Sequence, residues 1–207
     1  MTSTPAVRSG RIGDRAAAVD LLRLAFFTDP ISMWLIPDDD RRGSFHRGLF
    51  RAVFDDSLAG GSSLVASIDD TVVGVAAWYP PGRDTKPSGD DIEHAIGAMS
   101  DADRARLDEL RTLTVPHEPA GECYYLWVMA VSPERQRMGI GGALMRAALE
   151  RCDLTRDAAY LEASTLENRT LYERHGFREL ARVDLPDGPP MYPMLRRPAP
   201  TTLSSGP

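Results

Sequence analysis

The chain has 207 residues, 43% hydrophobic and 26% charged, the composition of one folded core with an elaborated insertion and not of a disordered or membrane-embedded chain. A formal net charge of −6 argues against nucleic acid as the main partner, because phosphate neutralisation needs a basic surface. No run nears the roughly 18 apolar residues of a membrane span, and the polar start lacks the apolar stretch of a signal peptide, so no membrane partner and a cytoplasmic location are expected.

Residues 7–11 predict a short first strand, weakened by Gly10 and Gly13. Asp14 then precedes Ala18, Leu21, Leu22, Ala25 and Phe26 at helical spacing, a capped amphipathic helix that must end before Asp29-Pro30. A second helix is predicted over 41–58 through Phe45, Leu49, Val53 and Phe54, closed by Gly60-Gly61. Residues 63–68 and 71–79 flank Asp69-Asp70 and predict an antiparallel hairpin, stopped by Pro80-Pro81. A charged insertion follows at about 82–121, with short helices expected near 91–99 and 101–112, and the tail 198–207 is expected to be flexible.

The nine residues from Cys123 to Val131 carry hardly a polar group and read as a strand covered on both faces. Ser132-Pro133 ends it, Gln136-Arg137-Met138-Gly139-Ile140-Gly141-Gly142 follows, and then a helix runs to about Cys152. A strand, a glycine-bearing turn and a helix start form an anion site, since the first helical N–H groups lack internal partners and the helix dipole points there. Two other phosphate-binding patterns fail on spacing: there is no Gly-Lys-Ser/Thr of a Walker loop and no dinucleotide fingerprint near the start of the fold. Cys123 and Cys152 lie in apolar segments without paired spacing and read as inert thiols. His46, His94, His117 and His175 are scattered singly, so no metal site is legible.

A second apolar strand, 159–164, leads to Asn168, Tyr172, Gly176 and Phe177. Asn168 and Tyr172 are i,i+4 neighbours on one helix face, and Gly176 suits a left-handed cap. By itself that pairing fits a core aromatic beside a helix cap equally well. Together with the Gln136-x-x-Gly139-x-Gly141 turn it resembles the two acetyl-CoA segments of the GNAT N-acetyltransferases. The layout also resembles the puromycin N-acetyltransferase group, loosely over 11–120 and well over 124–197.

The resemblance implies a GNAT fold: a single α/β domain over 1–197, with a mixed central sheet of about six to seven strands flanked by helices and two parallel strands splayed at the acetyl-CoA site. It implies acetyl-CoA as co-substrate without a metal, and direct attack of an amine on the thioester. Met129, Ala130 and Val131 would pair with pantetheine through their backbone; Gln136, Arg137, Met138, Gly139, Ile140, Gly141 and Gly142 would hold the pyrophosphate; Asn168 and Tyr172 would line the thiol end, Tyr172 as general acid. Glu162, a carboxylate inside an apolar strand on the face of Tyr160 and Ser164, is the first candidate base, or else an ammonium anchor. Tyr125, Glu122, Asp29 and His117 are weaker ones, and Trp34, Trp78 and Trp127 read as core more than as a ligand cage. Residues 26–34 and the insertion are expected to wall the acceptor site. A small-molecule amine is the expected partner, a homodimer the expected assembly; a protein acetyltransferase and a non-catalytic acetyl-CoA-binding module stay open as alternatives. Pro193 falls inside the expected last strand, where a bulge or a shortened strand is expected.

Overall fold

The computed structural model describes residues 5–82 and 89–198, so all but the first residue of the predicted tail lies outside the described residues. Strand β1 (Ala6–Ser9) is displaced by one to two residues from its predicted place; Gly10 still gives its N–H to the Ser63 carbonyl at 2.9 Å, one bond beyond the paired residues. Helix α1 (Arg15–Phe26) buries Ala18, Val19, Leu21 and Leu22. Asp14 does not cap it through its side chain; the carboxylate accepts instead from the Arg8 guanidinium and the Arg11 N–H.

Helix α2 (Pro30–Leu35) is absent from the sequence reading, in which Asp29-Pro30 is a helix stop. The same dipeptide starts a helix. Pro30 takes the first helical position, where a missing N–H costs nothing, and Asp29 accepts from the Ile31 and Ser32 N–H groups at 3.0 and 3.1 Å. Helix α3 (Asp39–Ala59) follows, capped by Asp38. Strands β2 (Ser63–Ile68) and β3 (Thr71–Tyr79) form the predicted hairpin; Asp69 and Asp70 both sit at positive φ, as a two-residue turn requires. The insertion supplies α4 (Asp90–Gly97) and α5 (Asp101–Thr114). Then come β4 (Cys123–Val131), α6 (Ile140–Thr155), β5 (Ala158–Ala163), α7 (Leu166–Glu173), the two-residue β6 (Arg178–Glu179) and β7 (Val183–Asp184), and β8 (Pro190–Arg196).

The strands make one eight-stranded sheet in the order β1-β2-β3-β4-β5-β8-β6, with β7 also on β8. The pair β4 and β5 is parallel; the other pairs are antiparallel. α6 and α7 cover one face over Leu64, Ala76, Leu126 and Leu161. α1 and α3 cover the other over Val65, Val75, Val128 and Ala130. Each fully buried leucine or phenylalanine in these layers, such as Leu144 or Phe54, contributes roughly 1.5–3 kcal/mol.

Two details of register position the site. Trp78 pairs with Leu126 but Ala77 with Val128, so Trp127 is an extra residue in β4. That bulge reverses the alternation: Leu126 faces α6, whereas Trp127 and Val128 both face α1 and α3. At the far side of the sheet, Pro193 neither shortens β8 nor bulges it, contrary to expectation; it pairs in register with Glu162. A strand residue aims its N–H and C=O at the same edge. The Pro193 carbonyl accepts from the Leu180 N–H at 2.8 Å, so the missing donor faces the interval between β6 and β7, where no strand needs it. Among the described residues no helix is long and apolar enough to cross a membrane.

Close packing of α6 on β3 depends on Gly74, where an added Cβ would lie 2.8 Å from Ile140 Cγ2 and 3.0 Å from Leu144 Cδ1. Gly74→Val is therefore expected to lower stability by about 1–3 kcal/mol through overpacking, read as a lower urea midpoint at unchanged slope. A midpoint equal to that of the parent protein would refute the close approach.

Candidate active site

Parallel pairing of β4 with β5 covers only Cys123↔Ala158 through Leu126↔Leu161. Past that point β4 keeps β3 as far as Val131↔Gly74, while β5 keeps β8 as far as Ala163↔Tyr192. The strands part, and the β5-facing edge of β4 from Trp127 to Val131, including Met129 and Ala130, offers backbone groups that an extended ligand can pair with as an added strand.

The glycine turn opens at the end of β4 on the same side. Gln136, Arg137 and Met138 are exposed; Arg137 has φ 61° and Gly139, the N-cap of α6, has φ 79°. The first helical bond runs from Ala143 N–H to the Gly139 carbonyl at 3.0 Å, which leaves the N–H groups of Ile140, Gly141 and Gly142 ahead of it, available to an anion. The two motif glycines serve differently. Gly139 is required by its backbone conformation, with nothing within 4 Å of an added Cβ. At Gly141 a Cβ would meet Leu171, Val131 and Met129 at 3.6–3.8 Å, ordinary contact, so the fold itself does not demand glycine there.

Across the gap stands α7. Thr165 caps it by accepting from the Asn168 N–H at 3.1 Å, and Gly176, at φ 88°, ends it as the left-handed cap expected. Asn168 is exposed and Tyr172 buried, its ring 6.0 Å from that of Phe177. Burial and the nearby Asp29 carboxylate hold the Tyr172 phenol above its ordinary pKa, hence protonated.

Between the gap and the α1, α3, α4 and α5 layer lies a chamber of about 290 Å³. Glu162 lines it with both carboxylate oxygens engaged: the Tyr125 hydroxyl donates to Oε2 at 3.0 Å and the Tyr160 hydroxyl to Oε1 at 3.1 Å. Burial pushes its pKa up and the two phenols pull it down, with burial prevailing. Asp29 also lines the chamber. Its Oδ1 takes the α2 N–H groups, and the Ser164 hydroxyl donates to Oδ2 at 2.6 Å, which brings two residues 135 apart in sequence into contact. Burial raises this carboxyl's pKa too, against the lowering effect of those bonds. Arg42 fixes the whole segment by donating to the Phe27 carbonyl before α2 and to the Ile36 carbonyl after it, at 2.9 and 2.8 Å.

The structure thus brings Tyr172, Asn168, Glu162, Tyr125 and Asp29 to one chamber. His117 and Glu122 do not join them; they line a separate hollow beside Cys123 and Arg197. Trp127 lines the chamber, Trp78 lies in the core, and Trp34 donates to the Pro186 carbonyl at 2.9 Å, tying α2 to the β7–β8 turn. Sequence reasoning missed His46 and Glu118, both at the chamber wall. His46 had a legible signal, an i,i+4 position from Phe50 on the apolar face of α3; Glu118 had none. Burial raises the Cys123 and Cys152 thiols to about 11 and about 12, so neither is a thiolate nucleophile near neutral pH. Among the described residues no group of three His, Cys, Asp or Glu could hold a metal ion.

Comparison with known proteins agrees with this fold. A structure from Corynebacterium glutamicum ATCC 13032, described as histone acetyltransferase HPA2 and related acetyltransferase, superposes with a TM-score of 0.73 at 26% identity, covering 97% of this chain and 99% of the other. Arylalkylamine N-acetyltransferase 2 from Aedes aegypti gives 0.66 at 12% identity, with 94% and 99% covered. The polyamine N-acetyltransferase of Drosophila melanogaster gives 0.63 at 13%, with 94% and 100% covered. The last two share the fold. The acetyltransferase (GNAT) family pattern matches residues 29–177, spanning Asp29, the parted strands, the glycine turn and Tyr172, and the chain belongs to that family, whose co-substrate is acetyl-CoA.

Proposed function

We propose that this protein is a cytoplasmic N-acetyltransferase that moves the acetyl group of acetyl-CoA directly onto the primary amine of a small molecule, a drug or a metabolite. The observation that carries this reading is the walled chamber ending at the gap between β4 and β5. A protein lysine would call for an open peptide groove, whereas here α4 and α5 stand over the chamber through Ile92, Ile96, Leu107 and Leu110.

In this reading the β4 edge at Met129, Ala130 and Val131 pairs with pantetheine. The turn from Gln136 to Gly142 holds the pyrophosphate, with Arg137 as cation and the α6 N–H groups as donors. The amine nitrogen attacks the thioester carbonyl carbon, the C–S bond breaks, and the thiolate takes the Tyr172 proton. Glu162 accepts the proton that the amine loses, its raised pKa making it a better base than a solvated carboxylate. Asp29, held by Ser164, keeps the ammonium form of the acceptor at the gap before attack. A non-catalytic acetyl-CoA-binding module would have no use for a buried phenol and two carboxylates at that spot.

Gly141→Ala is expected to weaken acetyl-CoA binding at least tenfold, about 1.4 kcal/mol, while the thermal midpoint stays near that of the parent; calorimetric titration beside a melting curve decides, and unchanged affinity would remove the pyrophosphate assignment. Tyr172→Phe keeps the ring, so turnover should fall at least tenfold with acetyl-CoA affinity altered less than threefold. Equal turnover with chemistry rate-limiting would return Tyr172 to the core. For Glu162 the pH dependence is diagnostic. Its raised pKa places the acid limb of kcat/KM above the ordinary carboxylate value of 4.5, with activity lost as pH falls through it. Glu162→Gln should lower turnover and remove one of the two protonations, of Glu162 and Asp29, that shape the limb, so that its slope falls from two toward one; an unchanged slope would transfer the base role elsewhere.

A further inference from the structure

The chamber is electrically lopsided. Its acidic side chains, Asp29, Glu162 and Glu118, come from the start of α2, from β5 and from the approach to β4. The walls given by α3, α4 and α5 carry none. They present Phe45, Leu49, Phe50, Ile92, Ile96 and Leu107, together with His46 and Arg111. His46 is buried with its ring 4.9 Å from that of Phe50, and burial with the Arg42 and Arg23 charges lowers its pKa to about 4, so it is neutral near pH 7. The Arg42 guanidinium, one helical turn before it, is itself buried.

A positive charge is therefore welcome at one end of the chamber and not at the other. At the β5 end an ammonium meets two carboxylates. At the α3–α4 end a second ammonium would shed its water against aliphatic and aromatic side chains, and no carboxylate from these helices lines the chamber to pair with it. An apolar tail there buries its surface against those walls instead.

We infer that the acceptor is a monocationic primary amine with an apolar or aromatic tail that occupies the α3–α4–α5 side of the chamber, and that diamines and polyamines are rejected. This inference rests on the acetyl-transfer reading and names its substrate class. The specificity comes from what the far wall omits as much as from what it offers.

The test compares amines matched in length: butylamine with 1,4-diaminobutane and hexylamine with 1,6-diaminohexane, with 2-phenylethylamine as the aromatic member, all followed by release of the coenzyme A thiol. kcat/KM should rise about threefold to fourfold per methylene in the monoamine series, and each monoamine should exceed its diamine at least tenfold. Ile96→Glu, at a half-buried site on α4, should narrow that ratio at least tenfold while leaving acetyl-CoA affinity unchanged. Diamines used as well as their monoamine partners, or a ratio unaffected by a folded Ile96→Glu protein, would overturn the inference and leave acetyl transfer standing. Acetyl-CoA binding without thiol release for any amine would overturn both.

Discussion

The parting of β4 from β5 is the constraint on which the rest of the site depends. Two parallel strands pair over four residue pairs and then part, β4 staying on β3 and β5 staying on β8. A strand edge left open inside a sheet is normally a liability, and here it leaves backbone groups of β4 free of a β5 partner beyond Leu126. The Trp127 bulge reinforces the divergence. By turning Trp127 and Val128 to the same face, it leaves Met129 and Val131 on the α6 side next to the glycine turn and puts Trp127 at the chamber wall.

A gap of this kind needs walls that hold their place. The short helix α2 is fixed from three directions: by its own cap at Asp29, by Arg42 bridging the carbonyls at both its ends, and by Trp34 on the Pro186 carbonyl. The Asp29 and Arg42 bonds satisfy polar groups that burial would otherwise penalise. Their joint effect is to hold the Asp29 carboxylate against Ser164 at the end of β5. The same logic governs Glu162, which two phenols hold in place from either side. Positioning a carboxylate with neutral hydroxyl donors leaves its negative charge available to an ammonium, as a salt bridge to arginine would not.

Electrostatics divides the labour among the buried titratable groups. Desolvation raises the pKa of Tyr172, Glu162 and Asp29 alike, yet the consequences differ. A phenol raised in pKa remains a donor at neutral pH; a carboxylate raised in pKa is, in its ionised form, a stronger base. The thiols of Cys123 and Cys152 are raised as well, which takes them out of nucleophilic chemistry and fits a reaction without an acyl-enzyme.

Sequence by itself determined whatever is local or periodic. The β2–β3 hairpin, the long α3, the two insertion helices, the apolar β4 and the glycine turn into α6 were legible because side-chain period, caps and turn residues act over a few positions. The spacing of Asn168, Tyr172 and Gly176 was legible for the same reason. Helix α2 was not, because Asp-Pro ends one helix and begins another with identical local chemistry, and only packing of Ile31 and Leu35 decides between them. Pro193 misled because the loss of an N–H matters only where a neighbouring strand would use it, and the β6–β7 interval is a property of the assembled sheet. Glu162 and Asp29 were candidates in the sequence, but their meeting with Glu118 in one chamber was decided by tertiary structure. Asp29 reaches Ser164 across 135 residues of chain, and no period or motif encodes a contact made through the whole sheet.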